Sequence, residues 1–212
     1  MNKRYLTLLL APFAAMALMG ASCTVNQAFT GLAGAPTIQI EGDSVTVVGT
    51  SEINATLQAD FQVSIDATEG VTTTTWMNKI AKDAKNDPDV AIIELGTNDA
   101  TCTAYVADVC PGPFDPSVVE ANYQTIFNDF PSTTCVIFVT LNTHADETQG
   151  WNNEGDAVLN DYIRANFTHV VDWDAAWDPS FYDPSSSVHQ NAVGSQALAN
   201  LEYQAAQSCL TS

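Results

Sequence analysis

An α/β fold with a parallel central sheet and helices on both faces is predicted by three features of the sequence. Short strand-like runs alternate with helix-like segments from residue 37 to the C-terminus. The connections between successive strands are of helix length, which demands parallel pairing through right-handed crossovers. The apolar run Val90 to Leu95 has the character of a strand buried on both faces rather than on one.

The elements follow in order. Residues 24–36, with Thr, Gly and Ala, read as a linker, and residues 37–212 as one domain with room for a full hydrophobic core. Thr37 to Ile40 is a short strand ending at Glu41-Gly42-Asp43-Ser44, and a helix follows to about Leu57. Phe61 to Ile65 alternates as a strand does. Thr74 to Lys85 has helical periodicity, with Trp76 and Ile80 on one face, the three lysines on the other, and Pro88 as a stop. After the strand Val90 to Leu95, Asp115-Pro116 caps a helix through about Phe130. Cys135 to Leu141 is the strongest strand in the chain. A helix from about Glu154 to Asn166, a strand from His169 to Trp173 and a helix from about Asn191 to Ser208 complete the alternation, giving five strands.

Composition narrows the function classes. The chain holds 25 acidic and six basic residues, and every acidic residue lies after residue 40. Two of the basic ones, Lys3 and Arg4, open the chain. A surface that acidic repels phosphate backbones and anionic headgroups, which excludes nucleic-acid binding and disfavours phospholipid substrates. Met1 to Arg4 reads as a basic n-region, Tyr5 to Met19 as an apolar h-region, and Gly20-Ala21-Ser22 as a cleavage site. Residues 1–23 are thus expected to be an export signal, directing the chain to the periplasm or the cell exterior. Cys23 resembles the acceptor of a bacterial lipoprotein box, although Gly20 stands where a leucine-like residue is usual. Lipidation and ordinary cleavage both remain open. Setting Cys23 aside, four cysteines are left, and pairing Cys102 with Cys110 and Cys135 with Cys209 is preferred among three connectivities. No metal-type cysteine or histidine spacing occurs, and no metal or cofactor is expected.

In an open α/β sheet the ligand crevice lies at the carboxyl ends of the strands. Ser44 directly follows the first strand, where a hydroxyl can point into the crevice beside helix N-terminal amides. By itself Gly42-Asp43-Ser44 is only an N-cap signal. Gly96-Thr97-Asn98-Asp99 emerges at the same edge, and the Asn98 amide can donate to a developing oxyanion. His189, at the junction with the last helix, is placed to accept a proton from Ser44. His169 and His144 are poorer candidates, one opening a strand and the other in a polar loop.

Together, Ser44, Gly96/Asn98 and His189 resemble the blocks of the SGNH (GDSL-like) hydrolases, and Gly70 is similar in position to the lone glycine of the family's second block. The resemblance spans residues 37–208, and around Val170-Val171-Asp172-Trp173 it extends to the SGNH domains attached to sugar acyltransferases. It implies a flavodoxin-like, three-layer α/β/α fold with a five-stranded parallel sheet. It also implies a serine esterase acting without a cofactor: Ser44 as nucleophile, His189 as base, and Ser44, Gly70 and Asn98 as the oxyanion hole. Short-chain or carbohydrate acetyl esters are the expected substrates. One position departs from the family. The Asp normally three residues before the histidine is Ser186 here. Three arrangements stay open. Asp183 reaches the imidazole; a backbone carbonyl or the Ser186 hydroxyl orients it; or the site has decayed and the chain is an exported binding protein.

Overall fold

The computed structural model describes residues 23–102, 110, 112–183 and 186–211. The export signal expected at residues 1–23 lies, apart from Cys23, outside the described residues, and so does the side chain of Asp183.

A central sheet of six strands has the order β1-β3-β2-β4-β5-β6. Its parallel part consists of β2 (Thr37–Gly42), β3 (Gln62–Thr68), β4 (Val90–Glu94), β5 (Cys135–Val139) and β6 (His169–Val171). The sixth strand, β1 (Thr24–Gly31), corrects the expectation of a linker before residue 37. It runs antiparallel to β3 at the sheet edge, starting at Thr24 opposite Thr68. Its inward side is weak, with Val25, Gln27 and Phe29 half-buried and none fully buried, and the polar Gln27 breaks the apolar alternation that marks a strand in sequence. Backbone pairing holds it, supplemented by a two-way amide contact between Gln27 and Asn54 at 2.8–2.9 Å.

The double-faced character predicted for β4 is observed. Val90 and Ile92 pack on one face, against α1 (Ser44–Leu57) and α6 (Ala192–Cys209), through Ile53, Leu57, Leu198 and Ala199. Ala91 and Ile93 pack on the other, against α2 (Thr73–Asp83), α4 (Pro116–Asp129) and α5 (Asn153–Asn166). There Tyr123 meets Phe138 edge-on, with ring centroids 5.4 Å apart, a favoured aromatic geometry. Residues β2 and β3 turn towards α2 are polar: Gln39, Glu41 and Asp66 are all buried. Lys79 therefore does not share a solvent face with Lys82 and Lys85, as its periodicity suggested. It bridges Asp66, at 2.7 Å, and Asp83, while the Trp76 indole donates to Glu41 at 2.9 Å.

Both expected disulfides are present. Cys102–Cys110 closes a short loop, and Cys135–Cys209 ties the start of β5 to the last residue of α6 across 74 residues of chain. Among the described residues no helix is long and apolar enough to cross a membrane.

Candidate active site

Ser44 is the first residue of α1 and sits immediately beyond the end of β2. Asp43 caps this helix, accepting from the Val45 amide at 2.9 Å. That bond leaves the backbone N–H of Ser44 with no acceptor among the described residues, as is usual for the first turn of a helix. A second free donor lies at Gly70, at the turn after β3. Its φ of +80° belongs to the left-handed region that glycine occupies without a Cβ penalty, and a Cβ built there meets nothing within 4 Å. No acceptor among the described residues takes its N–H.

The third strand end adds Asn98, in the short helix α3 (Thr97–Thr101) that replaces the simple turn expected after Gly96. Gly96 has a φ of +132°, and a Cβ there would collide with the Tyr123 hydroxyl. Asn98 Nδ2 donates to Asp43 Oδ2 and to the Val71 carbonyl, both at 3.0 Å. One amide group thus binds the Ser44 turn to the Gly70 turn. Asp99 reinforces the join by accepting from the Thr73 amide at 2.9 Å and the Thr73 hydroxyl at 2.7 Å, at the start of α2. Asn122 of α4 donates in turn to the Thr73 hydroxyl at 2.8 Å. Burial pushes the Asp43 carboxyl up to about 7, with Asp99 adding repulsion, and pushes Asp99 up to about 6.

His189 reaches the site from a two-stranded antiparallel hairpin, β7 (Tyr182–Asp183) and β8 (Ser186–Gln190), rather than from an irregular loop. The hairpin is pinned on both sides of the imidazole. Asn142, beyond β5, donates to the Ser187 carbonyl at 3.0 Å, and the Asp146 amide donates to the Ser187 hydroxyl at 2.6 Å. On the other side the buried Gln190 amide donates to the Val45 carbonyl of α1 at 3.0 Å. So held, His189 Nε2 lies 2.8 Å from Ser44 Oγ. Its Nδ1 lies 2.9 Å from Ser186 Oγ. Ser186 therefore occupies the place beside the ring where a carboxylate was expected. Partial burial pushes the imidazole pKa down, only partly opposed by the charge of Glu69.

The other histidines are elsewhere. His169 opens β6, at the opposite end of the strands from Ser44. His144 lies over Trp177 with ring centroids 4.3 Å apart, its Nε2 3.8 Å from Asp174. Among the described residues two side-chain groups have the spacing of cation ligands, and both are already engaged. Lys79 sits between Asp66 and Asp83, which lie close to Glu41. The sulfurs beside His169 belong to the Cys135–Cys209 disulfide. One residue at the site was not foreseen. Trp151 lies edge-on to the His189 ring with centroids 6.5 Å apart. The only signal for it in sequence is a tryptophan isolated in the polar stretch from Asp146 to Glu154.

Residues 41–197 match the family model of GDSL-like lipases and acylhydrolases. No curated protein matches the chain. Among solved structures, an acetyl xylan esterase superposes with a TM-score of 0.62 at 18% identity, over 80% of this chain and 98% of the other. The C-terminal catalytic domain of peptidoglycan O-acetyltransferase A from Streptococcus pneumoniae superposes with 0.61 at 20% identity, over 84% and 96%. A catalytic mutant of an acetylxylan esterase from Geobacillus stearothermophilus gives 0.63 at 14% identity, over 84% and 96%. At these identities the superpositions establish a shared fold.

Proposed function

The chain belongs to the GDSL-like lipase/acylhydrolase family, and from that premise we propose that it is a serine esterase removing short acyl groups from carbohydrate esters. The observation that carries the reading is the 2.8 Å contact between Ser44 Oγ and His189 Nε2, at the strand edge where the Ser44 and Gly70 amides are free.

In the proposed reaction Ser44 Oγ attacks the ester carbonyl carbon while Nε2 of His189 takes its proton. Negative charge collects on the carbonyl oxygen. The N–H groups of Ser44 and Gly70 stabilise it, and Asn98 contributes by sharing a hydrogen that now rests on Asp43 or Val71. The tetrahedral intermediate collapses, the C–O bond to the alcohol breaks, and His189 delivers its proton to the departing oxygen. Water then repeats the sequence on the acyl-enzyme, with His189 as base, and releases the acid and free Ser44. For His189 to act as a base its proton must reside on Nδ1, and in that tautomer the Ser186 hydroxyl accepts it. Ser186 is thus the proposed positioning group, in a Ser–His–Ser arrangement.

The neighbours support the substrate class. The names acetyl xylan esterase and peptidoglycan O-acetyltransferase both place an acetyl ester on a carbohydrate polymer. The basic, apolar and small-residue segments at the N-terminus support export, with Cys23 as a candidate lipid acceptor. The test is Ser44→Ala, assayed on p-nitrophenyl acetate beside fluorophosphonate labelling of the unmutated protein. We expect loss of turnover by about 10⁴ or more and covalent capture at Ser44. A folded Ser44→Ala protein with unchanged turnover overturns the assignment.

A further inference from the structure

Trp151 takes no part in the proton transfers, yet it is fixed beside them. It lies in the connection between β5 and α5, and its immediate neighbour Asn152 is tied down twice. Asn152 Nδ2 donates to the Ala100 carbonyl of α3 at 2.9 Å, and Asn152 Oδ1 caps α5 by accepting from the Gly155 amide at 3.0 Å. The same connection is joined to the His189 hairpin by the two bonds to Ser187. The backbone that carries Trp151 is therefore held between the helix bearing Asn98 and the hairpin bearing His189. The indole remains half-buried, within a stretch whose residues 146–150 are exposed. A large, rigid aromatic ring on a polar rim gives contact area at low entropic cost.

Its placement identifies which part of a substrate it meets. His189 returns its proton to the departing alcohol, so that alcohol must lie on the His189 side of Ser44, away from the oxyanion donors. The Trp151 ring is against His189. We propose that Trp151 is the platform of a leaving-group subsite, on which the C–H face of a neutral sugar ring rests while its acyl group is cut. This rests on the esterase reading above and deepens it. Two features of the rim favour a neutral sugar. Asp146, Glu147 and Glu154, all exposed, flank Trp151 in the chain, and no lysine or arginine occurs between Lys85 and Arg164, so an anionic alcohol is repelled. Beside them Thr148 and Gln149 are exposed, with a hydroxyl and an amide that suit a ring carrying hydroxyls on its edge.

An indole that only braces His189 would affect every ester alike, whereas a platform affects only esters of ring-bearing alcohols. The experiment compares a fully acetylated methyl glucopyranoside with vinyl acetate, whose alcohol has no ring. Trp151→Ala is expected to lower the ratio of the two kcat/KM values about tenfold, mainly through KM, which corresponds to about 1.4 kcal/mol. Trp151→Phe, which keeps a ring and guards against misfolding, is expected to lose about threefold. An unchanged ratio, whether both activities fall together or neither does, overturns the platform. Affinity read by calorimetry on Ser44→Ala protein separates this from the esterase reading. There, adding Trp151→Ala should weaken binding of the sugar acetate about tenfold whether or not the unmutated protein turns it over, and equal affinity overturns the proposal.

Discussion

Replacing Ser186 with Asp puts a carboxylate in the position occupied in related hydrolases, and its consequences follow from one distance. Ser186 Oγ is 2.9 Å from His189 Nδ1. A hydroxyl is an ambiguous partner, because it either accepts from Nδ1–H or donates to a bare Nδ1. In the second case the proton sits on Nε2 and the ring cannot take one from Ser44. A carboxylate only accepts, so Ser186→Asp fixes the productive tautomer and also stabilises the imidazolium formed during attack. A neutral hydrogen bond contributes about 1 kcal/mol net and one to a charged group about 1.5–3 kcal/mol. The difference, about 0.5–2 kcal/mol, corresponds to a rate gain of roughly 2- to 30-fold. Full Coulomb attraction at ~4 Å with an effective dielectric of ~20 would give about 4 kcal/mol, an upper bound for a crevice that water enters. The assay is kcat/KM for p-nitrophenyl acetate across the acid range. In the present chain burial lowers the His189 pKa, so the proposed activity should persist below the pH at which a free histidine protonates. Ser186→Asp should shift that acid limb towards neutral by roughly tenfold in proton concentration while raising the plateau. A folded Ser186→Asp protein with the plateau and limb of the parent would show that the Ser186–His189 contact does not govern the base.

Three further outcomes follow from the same coordinates. Asn98→Ala removes the proposed oxyanion donor and the link between Asp43 and Val71, so kcat should fall about 10²- to 10³-fold, measured on the same ester. Cys135→Ser with Cys209→Ser opens a loop spanning 74 residues; urea denaturation should report a loss of about 4 kcal/mol. Glu202 is fully buried, neither oxygen has a partner, and burial pushes its carboxyl up to about 8. Between the ordinary carboxyl range and pH 8 the folded state therefore binds more protons than the unfolded one, and stability falls as pH rises. Tm should drop from pH 5 to pH 8, and Glu202→Gln should flatten that decline; an equally steep decline in the variant would show that Glu202 is not its source.

What could be read in the sequence was whatever depended on local pattern. The strands β2 to β6 and the helices between them follow from apolar periodicity and turn residues, and Ser44, Asn98 and His189 from their places at strand ends. What could not be read depended on partners distant in the chain. Strand β1 has only a weak apolar side, Val25 and Phe29 on either side of Gln27, and pairs along the edge that β3 offers it. Lys79 fits a solvent face by periodicity, but Asp66 and Asp83 draw it inwards. Glu94 interrupts the run Val90 to Leu95, and only the fold shows that it is buried and accepts from the Thr46 hydroxyl. Ser186 looked like a missing acid in a serine-rich stretch. Its contact with His189 depends on the hairpin being anchored through Ser187 to the connection after β5 and through Gln190 to α1. Trp151 is uninformative in sequence for the same reason.

The charges around the site bear on how so acidic a chain would stabilise the oxyanion of the proposed reaction. Asp43, Asp99, Asp156, Glu94 and Glu202 are all buried, yet the ion pairs of the described residues involve none of them. Were all five ionised, their field would oppose negative charge building on the substrate carbonyl. Burial instead raises every one of these carboxyls, Asp43 to about 7 and Asp156 to about 8. On the acid side of neutrality much of this charge is discharged by protons. The Asp43 carboxyl then holds Asn98 less firmly, because a hydrogen bond to a neutral acceptor is weaker than one to a carboxylate. The Asn98 amide is correspondingly freer to turn towards an oxyanion. His189, with its lowered pKa, stays unprotonated and able to accept a proton over part of the same range. A discharged Asp43 beside Asn98 and a neutral imidazole beside Ser44 would thus coexist between the lowered His189 pKa and about 7, the range in which kcat/KM for the proposed acyl transfer should be highest.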